Sequence, residues 1–431
     1  MVNLVLMSIV TAATMLGFTA CSDDYMETSD DFTAPGKKAA PIDNVPIGRT
    51  VLIYMAGKND LSSDPCRHFL NEDLKEIKEG SLRLKDSDCL LVFVRRFQED
   101  NSMEMPWLAR IRNGQVEDSV SVADMGIAKT DTRACDPEVM ERVMHYAYTR
   151  YAATRDYGLV LWSHSTGWLM EREMAATRGY GLDNGNSVNG DGKWINVPTM
   201  KGILERMPHL KFIMADCCHF MCLESLYELR HVTDYVIGSP AEIPGQGAPY
   251  KEVVPSLFEG ETFYTSIVKK YHASVNGFLP LSVVKTSEME NVAQATANAM
   301  QSVKKGLAKG LPIQRYADLT GMIHYGHLGH YNTFCPENNF FFDAGDFISR
   351  YASKADYQQW KKALDKAVVM KRIGYKWDTM KLWGTFYVDF KMTEEKFHGV
   401  SMFIPQDPSK GKYARYNEDV KQFEWYKAVE G

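Results

Sequence analysis

The sequence predicts an α/β fold built on a mostly parallel central sheet, with an α+β region after it. Three observations carry this. Five apolar runs of four to seven residues stand within the first 238 residues. Segments with apolar residues at a period near 3.6 fall between them. Strand-like runs that alternate with helical segments read as βαβ units, whose strands pair in parallel.

In order, residues 50–56 (TVLIYMA) form the first run, closed by Gly57 and Asn59. A run apolar at nearly every position reads as a strand buried on both faces. Residues 68–78 have helical spacing, and 89–94 (CLLVFV) form the second strand. Residues 137–151 are amphipathic, and Pro137 suits a first helical turn, where no N–H is needed. Residues 158–162 (GLVLW) are the third strand, 197–207 a helix with Pro198 near its start, and 210–215 (LKFIMA) the fourth strand. Residues 221–230 are helical and 235–238 (YVIG) form a short fifth strand. Around residue 255 the pattern changes. Residues 261–309 read as mainly helical, while 340–350 and 397–405 carry mixed signals. The expected organisation is a domain at 46–255 and a C-terminal accessory region at 256–431, without internal repeats.

The 431 residues carry a net charge of −6, with 45% hydrophobic and 24% charged residues. That is a globular composition, long enough for a large core. It offers no basic excess, so no nucleic-acid partner is expected. After residue 21 no apolar run reaches the ~20 residues that a membrane helix needs. Residues 1–20 differ: they are uncharged and mostly apolar, and end in the small pair Thr19-Ala20 before Cys21. That is the apolar region and cleavage site of a signal peptide. A cysteine at this point resembles the lipobox of bacterial lipoproteins, which lipidate that residue. Asp23 and Asp24 resemble the acidic tag that sends some of them to the outer surface. Phe18 stands where a lipobox usually has Leu, and the basic residues that usually precede the apolar run are absent. Plain secretion with an incidental Cys21 is the alternative. Residues 21–45 are polar and acidic, and read as a flexible tether. The expected state is an exported monomer, anchored to the bacterial outer membrane only through lipid on Cys21.

There are eight cysteines; setting Cys21 aside leaves seven (8 − 1), an odd number. An exported chain with an unpaired cysteine raises the question of a reactive thiol. Cys217, Cys218 and Cys222 crowd into six residues, which is no disulfide framework, and the adjacent pair cannot bridge without strain.

In a parallel sheet, polar residues just past the carboxyl ends of strands face a common crevice. The third strand runs into Ser163-His164-Ser165-Thr166-Gly167-Trp168, and the fourth into Asp216-Cys217-Cys218. His164 and Cys218, 54 residues apart (218 − 164), can meet there. A thiolate is a nucleophile, and a neighbouring imidazole lowers the thiol pKa or takes its proton. A helix beginning just after Cys218 would add its dipole. Backbone N–H groups of Ser165 and Cys218 would hold the oxyanion of an acyl-transfer intermediate. A buried structural cysteine and a hydrogen-bonded core histidine give the same pattern, so both readings stand at this point.

Five stretches, in order, resemble the clostripain family of cysteine peptidases, a bacterial branch of the caspase, gingipain and legumain clan. They are 50–61 (TVLIYMAGKNDL), 158–168 (GLVLWSHSTGW), 212–230 (FIMADCCHFMCLESLYELR), 238–250 (GSPAEIPGQGAPY) and 398–405 (HGVSMFIP). The resemblance implies a caspase-like α/β/α sandwich, peptide or protein substrates cleaved after Arg or Lys, and no required cofactor. The family's Asp-Ala-Cys falls on Asp216, Cys217 and Cys218, and Glu224 keeps the family's downstream spacing. That makes Cys218 the nucleophile, puts the family's histidine at His164, and leaves Cys217 as a small buried residue pointing away from it. Asp216 takes the place of an acid that helps form the pocket for the basic side chain. A desolvated carboxylate suits a guanidinium; capping of the following helix is the alternative role. No third member of a triad is evident. Ser239 and Glu242 are further candidates for substrate binding. Family members cleave themselves in the linker after the histidine strand, which makes Arg178 the processing candidate, with Arg172 and Lys193 nearby.

The sequence departs from the family at Ser165, where Gly is usual, at His219 and Phe220, where an apolar pair is usual, and at Pro240, where an acid often follows the Ser. Glu242 is the available substitute for that acid. The oxygen-rich stretch 183–192 (DNGNSVNGDG) reads as a surface loop; calcium stays open there, since some family members respond to it. His324, His327 and His330 recur every third residue, but Gly326 and Gly329 suggest a loop, and no metal site is expected. The departures motivate a second reading, a catalytically weak surface binding lipoprotein on a peptidase scaffold. A third is a non-proteolytic cysteine hydrolase such as an amidase.

Overall fold

The computed structural model describes residues 45–63, 68–98, 104–170, 179–186, 190–326, 340–374, 377–379, 386–387, 391–410 and 413–430. Its strands are β1 (Arg49–Ala56), β2 (Asp88–Arg95), β3 (Trp107–Arg112), β4 (Gln115–Ser121), β5 (Asp156–Trp162), β6 (Tyr180–Asp183), β7 (Lys193–Ile195), β8 (Leu210–Asp216), β9 (Thr233–Gly238), β10 (Leu281–Lys285), β11 (Phe342–Asp343), β12 (Val368–Arg372), β13 (Asp378–Thr379), β14 (Phe386–Tyr387) and β15 (Ser401–Met402). Nine of them form one sheet in the order β12-β10-β9-β8-β5-β1-β2-β3-β4. The five central strands, β2, β1, β5, β8 and β9, are parallel, and antiparallel strands extend both edges.

Helices cover both faces. On one side α2 (Phe69–Ser81) packs on α6 (Tyr250–Ser256), and α6 on α7 (Phe263–Ser274). The other carries α3 (Pro137–Arg150), α4 (Val197–Leu204), α5 (Leu223–Glu228) and α8 (Met289–Gly306). This explains the unbroken apolar runs. Alternate residues of β1, Leu52, Tyr54 and Ala56, join the core cluster with α3 and α4. Val51, Ile53 and Met55 between them are buried too, and alternation turns them to the opposite layer. Helix α3 starts as its sequence requires: the Asp136 carboxylate accepts the Glu138 and Val139 N–H groups, and Pro137 occupies the first turn.

The structure is the expected caspase-like sandwich, with corrections beyond the five central strands. Residues 261–309 are mainly helical as expected, but β10 stands among the helices. The sheet does not end near residue 255: β10 pairs with β9, and β12 with β10. The β3–β4 hairpin turns at Asn113-Gly114, both at positive φ (50° and 76°). Asn-Gly is the strongest short-range hairpin signal a sequence can carry, and RIRNGQV carries it. Finally, α5 starts at Leu223, not directly after Cys218. Residues 219–222 bond outward instead: the His219 N–H donates to Ala241 O, the Met221 N–H to Ser239 O, and Met221 O accepts from Ser401. The helix dipole therefore does not act directly on Cys218.

Candidate active site

Strands β5 and β8 are neighbours, and their register sets Trp162 level with Asp216. Two residues further on, His164 and Cys218 leave the sheet at the same level from strands ~4.8 Å apart. Both line a cavity of about 350 Å³, whose wall also includes Asp60, Phe69, Trp162, Trp194, Asp216 and Glu242.

Cys218 is half-buried, and its Sγ accepts the Ile243 N–H at 3.3 Å. The same sulfur is placed to donate to Ile243 O at 3.9 Å, so thiol and thiolate each find a partner on Ile243. Cys217 is 2% exposed. Burial above all, then the neighbouring Cys218 and Asp216, push its thiol well above the ordinary range, which makes it a packing residue.

The His164 Nε2 lies 2.7 Å from Asp60 Oδ1, with side-chain exposures of 26% and 71%. The carboxylate fixes the ring and favours the proton on Nε2, which leaves the Nδ1 lone pair as the base. Asp60 owes its place to Asn59, whose Oδ1 accepts the Leu61 N–H and whose Nδ2 donates to Ala56 O and Leu182 O. Asp60 then opens the short helix α1 (Asp60–Ser63). On the other side of His164, the Thr166 N–H donates to Gly179 O and the Gly181 N–H to His164 O. These two bonds straddle Ser165 and leave its N–H out of the ladder.

Asp216 is 4% exposed. Its carboxylate accepts the hydroxyls of Tyr271 at 2.6 Å and Tyr250 at 2.8 Å, and the Ala248 N–H at 3.0 Å. Burial raises its pKa and these three donors oppose the rise. It caps no helix; the residue before α5 is Cys222. Asp73, on α2, is buried and accepts the Trp162 indole N–H at 2.6 Å. Burial raises its pKa well above the usual range, and the charge of Asp216 adds to the rise.

His219 sits at φ +56° and is 5% exposed. Its Nδ1 lies 3.1 Å from Pro240 O, its Nε2 3.7 Å from Glu242 Oε1, and its ring stacks on Phe341 with centroids 4.4 Å apart. Both nitrogens thus face the 240–242 loop. Gly167 is needed beneath it: φ is +58°, and a Cβ there would sit 2.5 Å from His219 O. Glu242 is brought to the cavity, whereas Ser239 is not. The Ser239 Oγ accepts the Ala241 N–H in a fully buried turn.

In the oxygen-rich stretch, Asp183 accepts Ala134 N–H, Arg95 Nε and Gly185 N–H, while Arg133 donates to the carbonyls of Asp183 and Asp191. Protein donors, two guanidinium groups among them, occupy these oxygens. Cys21, Arg172, Arg178, His327 and His330 lie outside the described residues. Among the described residues no helix is long and apolar enough to cross a membrane.

Sequence reasoning missed Asp60, Asp73, Tyr250 and Tyr271. Asp60 had a signal: it follows β1, the strand beside β5, so the strand-end rule that singled out His164 and Cys218 applies to it equally. Asp73 and the two tyrosines come from helices, and nothing local ties them to Asp216.

The sequence model of the clostripain family matches residues 53–430. Among solved structures, the chain is similar to a secreted C11 cysteine protease from Bacteroides thetaiotaomicron in complex with an irreversible peptide inhibitor. That match has 28% identity and a TM-score of 0.69, and covers 89% of this chain and 98% of that one. It is also similar in fold to an inactive zymogen C11 protease from Parabacteroides distasonis, at 24% identity and a TM-score of 0.69, over 90% and 99% of the two chains. No curated protein matches the chain. The family match spans most of the sequence and the fold agrees over nearly the whole of the solved relatives: the chain belongs to the clostripain family and is a clostripain-like cysteine peptidase.

Proposed function

We propose that this peptidase cleaves peptide bonds after Arg or Lys through a Cys218–His164 pair. The observation that carries it is the register of β5 and β8, which sends both residues off adjacent strands at one level into one cavity. His164 Nδ1 takes the Cys218 thiol proton, the thiolate so formed attacks the scissile carbonyl carbon, and N–H groups of Ser165 and Cys218 hold the resulting oxyanion. His164 gives its proton to the leaving amine, then takes one from the water that hydrolyses the thioester. Asp60 keeps the imidazole in the productive tautomer. Asp216 supports basic specificity as a buried acid on the cavity wall, since an incoming guanidinium favours its ionised form. Glu242 lines the same cavity and is a second acid for the substrate.

The wider reading is an exported monomer with lipid on Cys21, processed at Arg178, with calcium optional. Its support is the uncharged residues 1–20 and a similar protease described as secreted. Replacing Cys218 by Ala is expected to lower hydrolysis of an Arg ester by roughly 10³-fold or more while the thermal melt stays that of the parent. Undiminished hydrolysis would overturn the assignment. The three donors already on Asp216 favour one other reading, a binding protein of weak activity. A thiol-reactive Arg chloromethyl ketone separates the two: stoichiometric labelling of Cys218 marks the enzyme, none marks the binder.

A further inference from the structure

The loop from Glu242 to Pro249 separates two cavities. One is the cavity of Cys218 and His164; the other, of about 500 Å³, opens on the far side. Glu242, Pro244 and Gly247 line both. The partition is held from the side of Cys218. Ile243 donates its N–H to Cys218 Sγ, and Ala248 its N–H to Asp216. Gly247 sits at φ +59°, and a Cβ there would meet Asp216 Oδ2 at 2.7 Å. A Cβ on Gly245 would meet the Phe69 ring at 2.5 Å. A loop pinned in this way keeps the two cavities in fixed register with each other.

The chemistry of the second cavity is one-sided. Among the described residues its charged lining is Glu76, from α2, and Glu242, with no Lys, Arg or His beside them. Its rim carries Phe278, 48% exposed, and its wall includes buried Trp377. Two carboxylates beside an aromatic face suit a cation on an apolar stem: the guanidinium or ammonium pairs with the acids while the stem lies on the ring.

We propose that this cavity is a second side-chain subsite, which takes an Arg or Lys of the substrate peptide away from the scissile residue and reads it through Glu76 and Glu242. The ligand class is therefore a peptide with two separated basic residues. The inference rests on Cys218 and His164 marking the scissile bond, since that fixes which cavity holds the cleaved residue.

Binding to uncleaving Cys218→Ala protein tests it directly. Peptides with a constant Arg at the scissile position carry either Arg or its neutral isostere citrulline at each flanking position in turn, and affinity is read by fluorescence anisotropy. At one flanking position citrulline is expected to weaken binding about tenfold, and adding Glu76→Gln is expected to erase that difference. Equal affinities for Arg and citrulline at every flanking position would overturn the subsite. So would a preference for Arg that survives Glu76→Gln unchanged. Failure of the catalytic assignment shows separately, as hydrolysis by the Cys218→Ala protein at the parent rate.

Discussion

At the scale of single residues, the site depends on what each side chain is given as a partner. Asp60 is largely exposed while His164 is about one-quarter exposed, so their bond orients the ring more than it stabilises the fold. Asp60→Asn is therefore expected to lower kcat about tenfold, leaving KM and the melting temperature nearly unchanged. Single-turnover and steady-state hydrolysis of one Arg ester measure it, and an unchanged kcat would remove Asp60 from the machinery. His164 and Cys218 could be singled out from sequence because a polar residue at the end of an apolar run is a local pattern. The partners of Asp216 could not: Tyr250 and Tyr271 lie 34 and 55 residues downstream, on helices whose own pattern reports only an apolar face. His219 is a similar case. Its φ of +56° and its stack on Phe341 arise from tertiary packing, and as a sequence symbol it is merely a second histidine beside the nucleophile.

At the scale of elements, α5 illustrates how the segment after the nucleophile is secured. Glu224 is fully buried within it, one oxygen accepting the Phe403 N–H at 2.8 Å and the other unpartnered. Burial pushes its carboxyl from the ordinary 4.5 up to about 7. Below 4.5 both folded and unfolded chains hold the proton, so nothing is lost; as pH climbs toward 7 and past it, the folded chain must keep a proton the unfolded chain has shed, or bury a charge. The full penalty is about 3 kcal/mol. Glu224→Gln keeps the acceptor and removes the ionisation. Its melting temperature is expected to exceed the parent's at about pH 8 and to converge with it at about pH 4; a gap constant with pH would rule the account out. Element identity was legible wherever burial is two-sided, as in β1 and β5, whose apolar runs TVLIYMA and GLVLW are nearly or wholly unbroken. It was less so at the sheet's edges, where β4 and β12 mix polar with apolar residues and are only partly buried (QVEDSVS and VVMKR), and the helical stretches around β10 masked a five-residue strand.

At the scale of the whole molecule, the region after residue 255 is part of the sheet and of the site. β10 covers the edge of β9, and α7 delivers Tyr271 to Asp216. A chain of residues 46–255 alone would bare that edge and leave a buried carboxylate short of a donor. It is expected to be insoluble, or to lack a cooperative melt by circular dichroism; a soluble product with a sharp transition would show that the first part folds alone. Change of pattern marks where the chain's local habits alter, and here that is not where packing ends. The alignment of Trp162 with Asp216 has a practical side as well. A slip of one residue between β5 and β8 would turn every side chain of one strand to the other face while sparing the sheet's overall content. Two refolded batches could then share one far-ultraviolet spectrum and differ wholly in turnover. Hydrolysis, normalised to protein concentration, would count the molecules in which a single rung of the ladder has closed correctly.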